Sequence, residues 1–167
     1  TKDKCLDSAS LIAFNSYPGW YSDEGDLAAP HATWSDNADW VLENYPSTPF
    51  MISETGAGGI YEWNDNETDV MWSLKYQTEI VAADVRTVLS NAQFAALTLW
   101  HFFDYKGNDE AQAAGPCDDL PGFSYPPLCG FDNVTDNKRP GGLNHKGAVD
   151  FWRRIKPSFY AVANLYD

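Results

Sequence analysis

FMISETGAGG, residues 50–59, decides the reading of this chain. Phe50-Met51-Ile52 is a short apolar run, too brief for a helix and bounded by Pro49 and a glycine-rich turn, so it reads as a buried strand. It runs straight into Ser53 and Glu54. A carboxylate at the end of a buried strand, with glycines behind it, sits where a cavity lip would be. There it serves as a nucleophile, a general base or a metal ligand, or structurally as an ion-paired cap. The three histidines, at 31, 101 and 145, have no His-Glu-x-x-His or similar spacing, so no metal is expected.

Outward from this strand, the same pattern recurs. Leu11–Phe14 is a compact apolar run ended by Asn15 and the turn Ser16–Trp20. Residues 30–45 space Trp34, Trp40 and Val41 at helical intervals, and Pro46 and Pro49 stop that helix. A longer helix is expected over about residues 68–90, capped by Thr68 or Asp69, with Val70, Leu74, Ile80, Val81, Val85 and Val88 on one face. Residues 94–100, FAALTLW, make a third apolar strand. A loop rich in Gly, Pro and Asp covers about 104–142, and a short helix follows Lys156-Pro157-Ser158. Continuous apolar strands alternating with helices predict an α/β fold, with parallel strands covered on both faces.

Each strand ends in chemistry-bearing residues: Asn15, Tyr17 and Tyr21 after the first, Glu54 after the second, and Trp100, His101 and Asp104 after the third. In parallel α/β architectures that end of the sheet is where sites assemble. No Gly-x-Ser-x-Gly elbow, Walker loop or dinucleotide fingerprint is present, and no cofactor is expected.

The formal net charge of −13 argues against nucleic acid as a partner. Charge is unevenly placed. No Lys or Arg lies between Cys5 and Leu74, whereas Lys138, Arg139, Lys146, Arg153, Arg154 and Lys156 crowd one segment with only Asp150 among them. That segment is either a solvated basic face or, in part, an anion-recognition element. No apolar run is long enough to cross a membrane. Cys117 and Cys129 bracket a Pro- and Gly-rich loop that a disulfide would staple, leaving Cys5 over. With the sequons at Asn66 and Asn133, the cysteine pair points to a secreted, lysosomal or otherwise extracytoplasmic glycoprotein. The chain begins at Thr1, without Met, as a processed or truncated end would.

Five stretches, NSYPGWY, ISETGAGG, MWSLKYQ, LWHFFDYK and NHKGAVDFWRRIKPSFYAV, occur in this order. Together they resemble the C-terminal part of the catalytic barrel of glycoside hydrolase family 2, most closely its β-glucuronidases. The resemblance covers nearly the whole chain, 1–167, apart from an inserted loop at about 106–137. It implies that the three strands are the sixth to eighth of a TIM (β/α)8 barrel. It also implies retaining hydrolysis of terminal β-D-glucuronic acid residues, with Glu54 as nucleophile oriented by a phenol such as Tyr17. The second carboxyl of such a pair lies roughly 5–5.5 Å from the nucleophile. The family's acid/base glutamate follows an Asn near the fourth strand. The only Asn-Glu pair here, Asn66-Glu67, stands after Glu54, so the acid/base is missing and the isolated chain is expected to be inactive.

The family motif Asn-x-Lys, which holds the sugar carboxylate in β-glucuronidases, matches Asn144-His145-Lys146. Arg139 resembles a substrate-pocket arginine, displaced by one residue, and Asn15, Tyr17, Tyr21 and Trp100 would line the sugar site. His101 stands where an Asn is usual. The implied partners are a β-glucuronide, the remainder of the barrel and the N-terminal sandwich domains, and the class leaves room for a homo-oligomer. The alternatives are a family 2 β-galactosidase-type enzyme acting on neutral glycosides and a non-catalytic carbohydrate-binding module.

Overall fold

The computed structural model describes residues 3–64, 70–107 and 143–167. After a short 3-10 turn at Lys4–Ser8, the elements are β1 (Ile12–Asn15), α1 (Ala29–Asn44), β2 (Phe50–Thr55), α2 (Leu74–Ser90), β3 (Phe94–Leu99), β4 (Tyr105–Lys106), β5 (Leu143–Asn144) and α3 (Pro157–Ala163). β1, β2 and β3 form a parallel sheet in that order, with β2 in the centre. β4 and β5 pair antiparallel, a small ribbon the sequence pattern did not announce.

The strands are covered on one face. Ile12, Phe50 and Ile52 are buried with Trp34, Ala38, Val41 and Tyr45 of the α1 region, and Trp40 closes the edge through its ring contacts to Phe14 and Tyr45. On the opposite face Ala13 and Asn15 of β1, and Ala96 and Thr98 of β3, are exposed. The expectation of two covered faces is therefore not met among the described residues. β1 and β3 each pair only with β2 there, which leaves two edges with unpaired backbone groups.

α2 starts later than its apolar spacing implies. Trp72 has φ +74, which no helix accommodates, and Ser73 caps the helix by accepting a hydrogen bond from the Tyr76 amide. Val70 thus precedes the helix and is exposed, while Thr68 and Asp69 lie outside the described residues.

The decisive irregularity lies in β2. Strict alternation from the buried Phe50 and Ile52 would turn Glu54 into the core. The register against β1 instead shifts, so that Asn15 pairs with Glu54 rather than Ser53. Thr55 takes the next buried position and Glu54 stays on the open side. The Thr55 hydroxyl donates to Asp84 Oδ2 (3.1 Å), and Asp84 Oδ1 accepts from Trp34 Nε1 (2.8 Å), which ties β2, α2 and α1 together.

Asp84 is fully buried, and burial raises its pKa from 3.8 to about 7, against the two hydrogen bonds that lower it. The folded chain therefore holds this proton where the unfolded chain releases it. Stability from this group is full below about pH 4 and is lost as pH rises through about 7. Across that window the loss should approach about 4 kcal/mol, from about three pKa units. Asp84→Asn keeps an acceptor for Trp34 and should flatten this part of the profile, as read by urea denaturation at pH 5 and pH 8.

Candidate active site

After β1 the chain folds back in a tight, non-helical turn. The amides of Trp20 and Tyr21 both donate to the Tyr17 carbonyl, and the Tyr21 ring packs edge-on against both Tyr17 and Trp20. Gly19 makes this possible: its φ is +80, and a Cβ there would lie 2.6 Å from Ile80 and 2.9 Å from the Asp26 carbonyl. Tyr76 of α2 anchors the turn by donating to the Gly19 carbonyl and accepting from the Gly25 amide. Underneath, Trp20, Ala57, Ile60, Trp72, Tyr76 and Ile80 form a buried cluster that makes the floor of the site.

Tyr17 donates its hydroxyl hydrogen to Glu54 Oε1. Burial first, and then this bond and the Glu54 charge, push the phenol well above its ordinary pKa, so Tyr17 remains a neutral donor. The same ring faces a cation. The Lys146 ammonium lies 4.2 Å from the Trp20 ring centroid, 4.6 Å from that of Tyr21 and 5.4 Å from that of Tyr17, and donates to the Tyr21 hydroxyl at 3.2 Å. Lys146 is buried, so these rings stand in for water around its charge. One tyrosine therefore touches the carboxylate at the end of β2 and borders the cage that holds the lysine.

The segment carrying Lys146 is held from several sides. Asn144 Oδ1 accepts from the Lys146 amide, and Asn144 Nδ2 donates to the Tyr105 hydroxyl across the β4–β5 ribbon. Gly147 donates its amide to Asp104 Oδ1 at 2.7 Å. Lys156, wholly buried, donates to Asp104 at 2.9 Å, to the His145 carbonyl at 2.9 Å and to the Gly59 carbonyl at 2.7 Å. Burial pulls the Lys156 ammonium below its ordinary pKa, and Asp104 opposes that pull.

The other expected residues sit as follows. Asn15 is the register partner of Glu54, and its side-chain oxygen accepts from the Ser53 hydroxyl at 2.9 Å. Trp100 is partly exposed and donates its amide to the Thr55 carbonyl. Gly56, at φ +149, lets the backbone pass under Trp100, because a Cβ there would lie 2.5 Å from the Trp100 carbonyl oxygen. His101 packs against Tyr105, is pulled below its ordinary pKa by burial, and has no hydrogen-bond partner for Nε2 among the described residues. Arg139, Asn66, Asn133, Cys117 and Cys129 lie outside the described residues. Among the described residues no cluster of His, Cys, Asp and Glu could hold a metal ion, and no helix is long and apolar enough to cross a membrane.

Two sequence readings change here. Asp104, placed with the site residues, is an internal anchor rather than a group facing an open cavity. The basic segment is not opposed by Asp150 alone: Asp104 pairs with Lys156, and Glu62 with Arg154. Lys156 could not be told from its surface-type neighbours by spacing, since its partners are distant in sequence.

No protein-family model matches the chain. A β-glucuronidase of Streptococcus agalactiae serotype V is 25% identical over 112 residues, which is 64% of this chain and 18% of that protein. The crystal structure of a glycoside hydrolase family 2 β-galacturonidase from Eisenbergiella tayi, bound to galacturonate, is 26% identical with a TM-score of 0.70, over 98% of this chain and 24% of that one. This chain is similar to the glycoside hydrolase family 2 enzymes. A β-glucuronidase from Ruminococcus gnavus shares the fold, with a TM-score of 0.71 at 20% identity over 98% of this chain. The chain spans about a quarter of the length of the solved relatives it matches.

Removing Lys156 would strand Asp104 in the core. Lys156→Met should cost about 3–5 kcal/mol, the usual effect of breaking one side of a buried pair. Adding Asp104→Asn should return part of that loss. Urea denaturation of the single and double variants measures both; a single variant within about 0.5 kcal/mol of the parent would remove the anchor role.

Proposed function

We propose that this chain is the C-terminal part, strands six to eight, of a TIM-barrel glycosidase that hydrolyses terminal β-D-glucuronic acid residues with retention. The observation that carries the reading is Tyr17, which donates to Glu54 and borders the cage of Lys146. A sugar whose anomeric carbon meets Glu54 would present a carboxylate to Lys146. Tyr17 occupies Oε1 and keeps the carboxylate oriented, leaving Oε2 to attack. The bond from Glu54 to the anomeric carbon forms as the bond to the aglycone oxygen breaks. A second carboxyl, supplied from outside these 167 residues, protonates that oxygen and then draws a proton from the water that releases the sugar. The uncovered face and the free edges of the sheet fit a barrel completed by further strands.

Lys146, with Asn144 beside it, is the proposed carboxylate reader, since an ammonium makes charge-assisted hydrogen bonds that a neutral sugar uses less well. The galacturonate bound by the Eisenbergiella tayi enzyme favours a second reading within the same class, a β-galacturonide. Nitrophenyl glycosides of glucuronate, galacturonate, glucose and galactose separate these.

In the complete enzyme, Lys146→Ala should lower kcat/KM on the uronides by about 100-fold, the scale of one or two charge-assisted hydrogen bonds. The neutral glycosides should change by less than about threefold; equal losses on both classes would remove the carboxylate role. The isolated chain should show no appreciable turnover of an aryl glucuronide, because one carboxyl cannot serve both steps. Full activity of the chain alone would overturn the two-part mechanism.

A further inference from the structure

Gln77 closes the first turn of α2, with 1% of its surface exposed, and faces the underside of the site. Its amide nitrogen is directed at three carbonyls from two segments far apart in sequence. One is Ala57, just after Glu54, at 3.0 Å; the others are Gly147 at 3.1 Å and His145 at 3.4 Å, on either side of Lys146. The amide has two hydrogens for three acceptors, so the longest contact shares one of them. The three carbonyls only accept, so they require the NH2 end of the amide, and its oxygen is left to accept from the Ser158 hydroxyl at 3.3 Å. The two segments also touch directly, the Gly59 amide donating to the His145 carbonyl at 2.9 Å. A Cβ on Gly59 would lie 2.6 Å from Gln77 Oε1, so the loop rests on this side chain.

We infer that Gln77 is a positioning residue that fixes the spacing between Glu54 and Lys146 by holding both of their loops on one neutral amide. The inference rests on the proposed reading of Glu54 and Lys146 and adds the element that sets selectivity. A uronate is read at two points, its anomeric carbon and its carboxylate, so it depends on the distance between two loops. A neutral sugar depends on the first loop alone. Other side chains of similar size cannot replace the amide. Glutamate would turn a carboxylate oxygen towards the carbonyls, methionine offers no donor, and lysine could not accept from Ser158.

The test compares Gln77→Met, Gln77→Glu and Lys146→Ala in the complete enzyme on uronide and neutral substrates, with hydrogen exchange on the 167-residue chain. For Gln77→Met the ratio of uronide to neutral kcat/KM should fall at least tenfold. That fall should come through KM for the uronide, and the neutral substrate, which also depends on the Glu54 loop, should lose less of its kcat/KM than the uronide does. For Gln77→Glu the ratio, taken relative to the parent at each pH, should recover on acidification, as the buried carboxyl gains a proton to donate. A side chain that merely fills space would give no such recovery. In Gln77→Met, amide exchange should quicken at both Gly59 and Gly147 while the middle turns of α2 keep their protection. If Lys146→Ala leaves the substrate ratio unchanged, the carboxylate reading fails and selectivity by Gln77 fails with it. If Lys146→Ala collapses the ratio but Gln77→Met does not, or if only one loop loosens, the coupling alone is wrong.

Discussion

The Lys156 ammonium is sealed from water, and much of the site hangs on what it donates to. Its hydrogen bonds reach the loop after β2 through Gly59, the Asn144–Lys146 segment through His145, and the chain after β3 through Asp104. A buried charge is expensive unless its hydrogen bonds are made, so these three segments cannot separate without exposing that cost. Loops that carry function are ordinarily the mobile parts of a fold. Here they are joined below the surface by a group that tolerates few alternatives.

Much of this was legible in the sequence, for identifiable reasons. Ile12, Phe50 and Ile52 announced strands because a short apolar run bounded by breakers has few other fates. Trp34 and Val41 announced α1 by their spacing, and Pro46 ended it. Glu54 stood out because it broke an apolar run, and Asn144 and Lys146 because they match a motif. What stayed hidden depends on contacts between residues distant in sequence. Nothing local distinguishes Lys156 from Arg153, yet one is an internal anchor and the other lies on the surface over the Phe103 ring. The start of α2 was hidden for another reason, since apolar spacing continues through Val70 whereas the backbone turns at Trp72. Gln77 closed one of the stretches that carry the resemblance, MWSLKYQ, but its buried contacts were not announced, because a glutamine inside a helix usually faces solvent.

The aromatic richness divides in a way that composition alone does not reveal. Trp34 and Tyr76 are interior groups whose polar atoms each find a partner, Asp84 for one and Gly19 for the other. Tyr17 and Tyr21 instead surround the Lys146 ammonium and stand at the open end of the sheet, with Trp100 partly exposed there. Trp20 belongs to both groups: its ring is buried in the floor of the site, yet one face is turned to the ammonium. Packing of the floor and placement of the cation are therefore set by the same indole.

The shift in the pairing of β2 separates that strand into two regimes. Before it, Phe50 and Ile52 answer to volume and apolarity, which many side chains satisfy with small adjustments. After it, Glu54, Thr55 and Gly56 answer to direction, to a buried carboxyl and to a close backbone approach, each met by very few residues. Between Phe50 and Gly56, tolerance to substitution should change from that of a core to that of a fitted joint. Variation among homologous sequences would mark the position of that step without reference to any assay.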